Sequence, residues 1–146
     1  MSIILKGVPM PISINAAYEN ATVPGQRGRR KTKAYRDYAT RVEHWRLENL
    51  AQVNSIRKQI SQLSHDMVFR MEYAFWFKES SIITKAGHAK RNDTSNRIKV
   101  LEDALAPILG IDDSRFWDGQ YWKCPMSEDN REEYVNVGIE IMEIMK

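Results

Sequence analysis

The sequence predicts a single mixed α/β domain of the α+β kind, with a mixed sheet of about four strands packed by two or three helices. Three observations carry this expectation. Residues 67–77, "MVFRMEYAFWF", alternate: Met67, Phe69, Met71, Tyr73, Phe75 and Phe77 share one face, and Arg70 and Glu72 take the other. That period of two belongs to a half-buried strand. Residues 33–62 carry a helical apolar stripe of Tyr35, Tyr38, Val42 and Trp45, continued by Val53, Ile56, Ile60 and Leu63. Near the end, "EYVNVGIEIMEI" places Val135, Val137, Ile139 and Ile141 on one face of a strand. A chain of 146 residues is one domain's length, so residues 1–146 are read as one unit.

The other elements follow in order. Residues 2–8, "SIILKGV", read as a short first strand. Residues 9–31 hold three prolines and two glycines without apolar periodicity, a loop too long for a simple connector. The long helix has a candidate kink near 54, where Asn54-Ser55 can break it and cap a second helix. Residues 78–91 form a polar loop with a basic cluster of Lys85, His88, Lys90 and Arg91. A helix over 95–108 buries Ile98, Leu101, Leu105 and Ile108, and Pro107 and Gly110 end it. "RFWDGQYWKCP" is either a tight hairpin about Asp118-Gly119 or one strand with a glycine bulge.

Composition excludes some classes. Hydrophobic residues are 42% and charged residues 28%, ordinary for a globular domain. The lone Cys124 forbids an internal disulfide and fits a reducing compartment. No apolar run approaches the roughly 20 residues of a membrane span, and the N-terminal run is too short for a signal peptide. A cytoplasmic protein without a membrane partner is expected. The net charge of +3 is unevenly spread. Residues 27–46 hold eight Arg or Lys, at 27, 29, 30, 31, 33, 36, 41 and 46, against Asp37 and Glu43. Such a block is either a solvated helix face or the footprint of a polyanion.

The stretch "RNDTSNRIK", residues 91–99, sets Asp93, Thr94, Ser95 and Asn96 side by side before a helix. Each is a favoured N-cap, yet a helix start needs one. Asp112 and Asp113 follow the same helix and are either a turn or paired acids. Carboxylates a few ångströms apart can hold Mg²⁺ for phosphodiester hydrolysis. A 14-residue helix is about 21 Å long, so Asp93 and Asp113 meet only if the chain folds back beside it. Asn96, Lys99 and Asp103 line up at i, i+3 and i+7, a polar stripe able to aim Lys99 at a phosphate. Glu102 and Asp103 read equally well as surface acids. Cys124 has no catalytic setting, and His44, His65 and His88 lack metal-ligand spacing. No phosphate-cradling loop or nucleophile elbow is present.

"KRNDTSNRIKVLEDALAPILGIDDSRFWDG" resembles the signature region of the RusA family of Holliday junction resolvases, the crossover junction endodeoxyribonucleases. The family pattern is an Asp, a second acid two positions on, then Asn, a Lys three positions later, Asp-Ala-Leu in the helix and a following Asp-Asp. Here it reads Asp93, Ser95, Asn96, Lys99, Asp103-Ala104-Leu105 and Asp112-Asp113. "PMPISINAAY" and "KAYRDY" are similar more loosely to the family's first loop and helix start. The resemblance covers most of the chain apart from residues near 50–64.

The resemblance implies a homodimeric, Mg²⁺-dependent endonuclease, with Mn²⁺ as an alternative ion, that nicks opposing strands of four-way DNA junctions in recombination and repair. A junction's two-fold symmetry suits a two-fold dimer. Asp93, Lys99 and Asp113 would be catalytic. Asp93 and Asp113 would bind metal, with Asp112 and, through water, Ser95. Arg27, Arg29, Arg30, Lys31, Lys33, Arg36, Lys90 and Arg91, with Asn15 and Asn96, would contact DNA, positioning its backbone without reading sequence. Small resolvases of this sort are often phage or prophage proteins. Ser95 departs from the pattern, since a hydroxyl replaces an acid. Another acid such as Asp112 then completes the site, more waters hold the ion, or the protein binds junctions and cuts weakly. A non-catalytic branched-DNA-binding protein is the alternative, and an interaction domain with a merely solvated basic block is the third reading.

Overall fold

The structure, a computed structural model, describes residues 2–20, 29–127 and 131–144. The chain begins with β1 (Ser2–Pro9), α1 (Ile14–Ala17) and two short strands, β2 (Tyr18–Asn20) and β3 (Arg29–Lys31). Two consecutive helices follow, α2 (Lys33–Glu48) and α3 (Leu50–Ser61). Then come β4 (Met67–Lys78), the one-turn α4 (Glu79–Ile82), α5 (Ser95–Leu109), β5 (Phe116–Met126) and β6 (Tyr134–Glu143). Four strands form one sheet in the order β1-β6-β4-β5. β6 runs antiparallel to both β1 and β4, and β5 runs parallel to β4. A parallel pair needs a crossover connection, and α5 supplies it.

The sheet has one packed face. Phe69, Met71, Tyr73, Phe75 and Phe77 of β4 join Val135, Val137 and Ile139 of β6 in the core. The expected alternation of both strands is therefore present. The helices close this face with Tyr35, Tyr38, Val42 and Trp45 from α2, Val53, Ile56 and Ile60 from α3, and Val100, Leu101, Leu105 and Leu109 from α5. On the opposite face Arg70 pairs with Asp118 at 2.9 Å and Glu140 at 3.6 Å. The outer edge of β1 is covered by helix side chains. Gln52 donates to Ile4 O at 2.9 Å, Trp45 Nε1 to Lys6 O at 3.0 Å and the Tyr38 hydroxyl to Pro9 O at 2.8 Å. Unpaired strand carbonyls invite foreign strands, and these are occupied.

Three expectations are corrected. The long helix breaks at Asn49, not near 54. Asn49 leaves helical geometry (φ −118°, ψ 28°), and its side-chain amide donates to Trp45 O at 2.8 Å. An asparagine that bonds its own backbone competes with the helix at that point. Asn54 and Ser55 stay inside α3 with exposed side chains. The long N-terminal loop is partly regular. It contains α1, capped by Ser13 Oγ accepting from Ala16 N at 3.2 Å, and the β2–β3 ribbon. Of the two readings of "RFWDGQYWKCP" the single strand holds, with β4 pairing in parallel from Phe116 on, and what changes is the place of the bulge. Its extra residue is Trp117, between the pairs Phe69–Phe116 and Arg70–Asp118, rather than the glycine. Gly119 stays in the ladder opposite Met71, where a Cβ would sit 3.4 Å from Met71 O. Among the described residues no helix is long and apolar enough to cross a membrane.

Candidate active site

The loop before α5 and the turn after it carry the candidate acids. α5 starts where Thr94, buried, turns its hydroxyl to donate to Asn92 Oδ1 at 3.1 Å. No side chain caps the helix amides there. Asp93 instead accepts from two neighbouring side chains, Ser95 Oγ at 3.2 Å and Asn96 Nδ2 at 3.0 Å. Thr94, one of the four candidate caps, therefore stands at the cap position without capping by its side chain. The Thr94 and Ser95 hydroxyls both have side-chain partners within the loop. Lys123 of β5 donates to Asn92 O at 2.7 Å and ties this loop to the sheet.

One turn into α5, Lys99 meets two acids. Its Nζ lies 2.9 Å from Asp103 Oδ1 and 3.5 Å from Asp113 Oδ2. Gly110 makes the meeting with Asp113 geometrically possible. It ends α5 in the left-handed conformation (φ 70°, ψ 32°) and reverses the chain. The Lys99 ammonium is held above its ordinary proton affinity, first by the hydrogen bond to Asp103 and then by the charges of Asp103 and Asp113, against some desolvation. Asp112 plays a different part. Its Oδ1 accepts from Ser114 N at 3.0 Å, capping the turn Asp113–Arg115, and its pKa is lowered chiefly by the bonds from Ser114. That leaves Asp113, with 60% of its side chain exposed, free of capping duty.

Two acids read as ordinary surface residues are parts of this cluster. Asp103 is only 19% exposed, and its Oδ2 accepts from the Tyr18 hydroxyl. Glu102 accepts from the hydroxyl of buried Tyr73 and lines a crevice of about 240 Å³ with Ile98, Phe116 and Trp117. Burial raises the Glu102 pKa, opposed by the Tyr73 bond and the Lys99 charge. Tyr18 and Tyr73 were missed as site residues. Tyr73 carries a core signal only, and Tyr18 sits in a stretch without periodicity.

No hydrogen bond or ion pair joins Asp93 to Asp113. What Asp113 reaches is Lys99, because α5 presents that residue to the returning chain. Among the described residues no three His, Cys, Asp or Glu side chains gather as a metal cage. Within the set Asp93, Asp113, Asp112 and Ser95, Asp112 Oδ1 holds the Ser114 amide and Ser95 Oγ holds Asp93. Asp93 and Asp113 are both exposed oxygen donors. They suit a hard ion that keeps most of its waters and takes one or two carboxylates, as Mg²⁺ does.

The basic residues divide. Arg27 lies outside the described residues, and Arg29 contributes its backbone to β3. Arg30 pairs with Glu19 at 2.9 Å and Lys33 with Asp37 at 2.8 Å. Lys31 lies 4.8 Å over the Tyr35 ring, and Arg36 donates to Lys31 O at 3.2 Å. Lys90 donates to Ser80 O at 3.1 Å, while Arg91 and Asn15 are exposed. Exposed surface pairs contribute little and exchange readily for phosphate, so the ribbon remains a basic surface.

Lys99 between Asp103 and Asp113 is linked through the Tyr18 hydroxyl to the basic ribbon. The family model of the endodeoxyribonuclease RusA matches residues 9–142, and the chain belongs to the RusA family. It is accordingly a nuclease whose substrate is DNA. No curated protein matches the chain.

Proposed function

We propose that this protein is a Mg²⁺-dependent endonuclease that resolves four-way DNA junctions by paired symmetric nicks, as a homodimer. The observation that carries the reading is Lys99 Nζ held between Asp103 and Asp113, one turn into α5. Of the acid–lysine–acid set that resembles the family, Lys99 and Asp113 lie together, which supports the reading, while Asp93 is held by Ser95 and Asn96.

Each residue has a task. Lys99 is a fixed positive charge for the scissile phosphate, where negative charge grows in the transition state. Asp93 and Asp113 would hold the metal ion. When bound, the ion polarises the phosphoryl oxygen and makes water a better nucleophile. Asn96 and Ser95 orient Asp93 by donating to its two oxygens. Ser95 adds no charge where the family pattern has its second acid, so Asp93 and Asp113 would be the charged groups that hold the ion. Arg30, Lys31 and Lys33 on and beside the ribbon, with Arg91 before α5, supply backbone contacts. Two such sites on a two-fold dimer suit the symmetry of a junction.

The test is cleavage of a synthetic four-way junction by the full chain with and without Mg²⁺. Symmetric nicks are expected that chelation abolishes, and Asp93→Asn and Asp113→Asn each lose at least about 1000-fold in rate, a usual scale for removing a metal-binding or charge-stabilising group. Tight junction binding with no cutting over a range of Mg²⁺ and Mn²⁺ would sink the catalytic reading. Undiminished cutting by both variants would sink the residue assignment.

A further inference from the structure

We propose that Tyr18 is a positioning residue for Lys99, acting through Asp103, so that the basic ribbon and the catalytic lysine move as one unit. The proposal rests on the nuclease reading above. Asp103 divides its two oxygens between two partners. Oδ1 takes Lys99 Nζ at 2.9 Å, and Oδ2 takes the Tyr18 hydroxyl. A lysine has a flexible four-carbon stem, and with half of the Lys99 side chain exposed a single carboxylate contact leaves it room to turn. The second hydrogen bond fixes the carboxylate's orientation, and the carboxylate then fixes the ammonium.

Tyr18 is itself anchored. It pairs with Lys31 in the ribbon, and its ring lies 5.6 Å from that of buried Tyr35. Thr32 closes the base of the ribbon, its hydroxyl donating to Ala16 O at 2.6 Å and its amide to Ala17 O at 2.9 Å. The Tyr18 phenol is pushed well above its ordinary pKa by burial first and by Asp103 second, so it remains the donor. Lys99 also touches Asp113, at 3.5 Å against 2.9 Å for Asp103, so Asp113 is the partner it would turn to more fully. A lysine released by Asp103 would settle on Asp113 and neutralise an acid that the chemistry needs. Tyr18 thus limits how far Lys99 leans toward Asp113, and it does so from the segment that carries Arg30 and Lys31.

The experiment uses the full chain, a four-way junction and Mg²⁺ under single-turnover conditions. Tyr18→Phe should lower the cleavage rate about tenfold, the lower end for groups that orient a catalytic residue. Junction Kd and the melting temperature should stay put. In a Lys99→Ala background the same change should cost nothing more, because residues acting as a unit are non-additive. An equal fractional loss in both backgrounds, or a weakened Kd that accounts for the loss, overturns the proposal. A second readout needs no activity. In protein labelled with ¹³C-lysine, the two Hε protons of a held Lys99 give separate signals, and Tyr18→Phe should merge them. Signals that stay separate overturn the proposal. Wild-type protein that does not cut overturns the nuclease reading instead, and the lysine spectrum still decides whether Tyr18 holds Lys99.

Discussion

The starts of α2 and α5 use the same residue type in opposite ways. Thr32 precedes α2 in extended geometry (φ −82°, ψ 170°), and its Oγ accepts from Tyr35 N at 3.2 Å. That is the usual service of a hydroxyl to an orphan helix amide. Thr94 precedes α5 with helical angles (φ −70°, ψ −36°) and gives the helix no side-chain bond. Around it, Asn92, Asp93, Thr94, Ser95 and Asn96 bond one another. Where a helix is scaffold, polar side chains satisfy the backbone. Where it borders a site, they are withheld from the backbone and orient an acid. Departures from local rules gather at functional positions.

Asn96→Ala is the strongest way to break that comparison. Asn96 Nδ2 holds Asp93, and its Oδ1 is buried without a partner. Removing the side chain deletes a holder of the acid and also deletes an unsatisfied atom. Junction cleavage should fall about 10- to 100-fold, the range for partners that orient metal-binding ligands, while the melting temperature stays within about 2 °C because no cap is lost. A large fall in melting temperature with normal cleavage would make the α5 start an ordinary helix terminus.

A smaller contrast is thermodynamic. Thr32→Ala should cost about 1–2 kcal/mol in urea denaturation, since the cap on Tyr35 N and the hydroxyl's bond to Ala16 O are both lost. Ser95→Ala should cost less than about 0.5 kcal/mol, since Ser95 Oγ is bonded to Asp93 and caps no amide. Equal costs at the two positions would remove the distinction between them.

Much of the scaffold was legible because its signals are local. The alternation of residues 67–77 and of the last strand, and the Pro107–Gly110 end of α5, need no partner to be read. The break at Asn49 was not, because a side chain bonding its own backbone outweighed the stronger-looking Asn54-Ser55 pair. The bulge at Trp117 was hidden too, since pairing register is a property of two strands and not of one. In the site, Asp93, Lys99 and Asp113 stood out by residue type and offset. Their supports did not. Tyr18 lies 85 positions from Asp103, and Tyr73 lies 29 from Glu102. Nothing in either local stretch marks a hydroxyl destined for a distant carboxylate.

Glu102 tests where along α5 the scaffold gives way to the site. It is three residues beyond Lys99 and feels its charge, yet burial against Tyr73 is the larger influence and raises its pKa above the ordinary 4.5. The folded protein therefore binds the Glu102 proton more tightly than the unfolded chain does. Its contribution to stability is present below 4.5 and is lost as pH rises through the raised value. Lys99 does not interfere, because its pKa is also raised and its contribution is lost only above its ordinary 10.5. In Glu102→Gln that loss is absent. Stability measured by urea denaturation should then shift in favour of the variant as pH climbs from 4.5 toward neutrality, and the difference should level off above. A difference that stays flat across this range would separate Glu102 from the core behind the site.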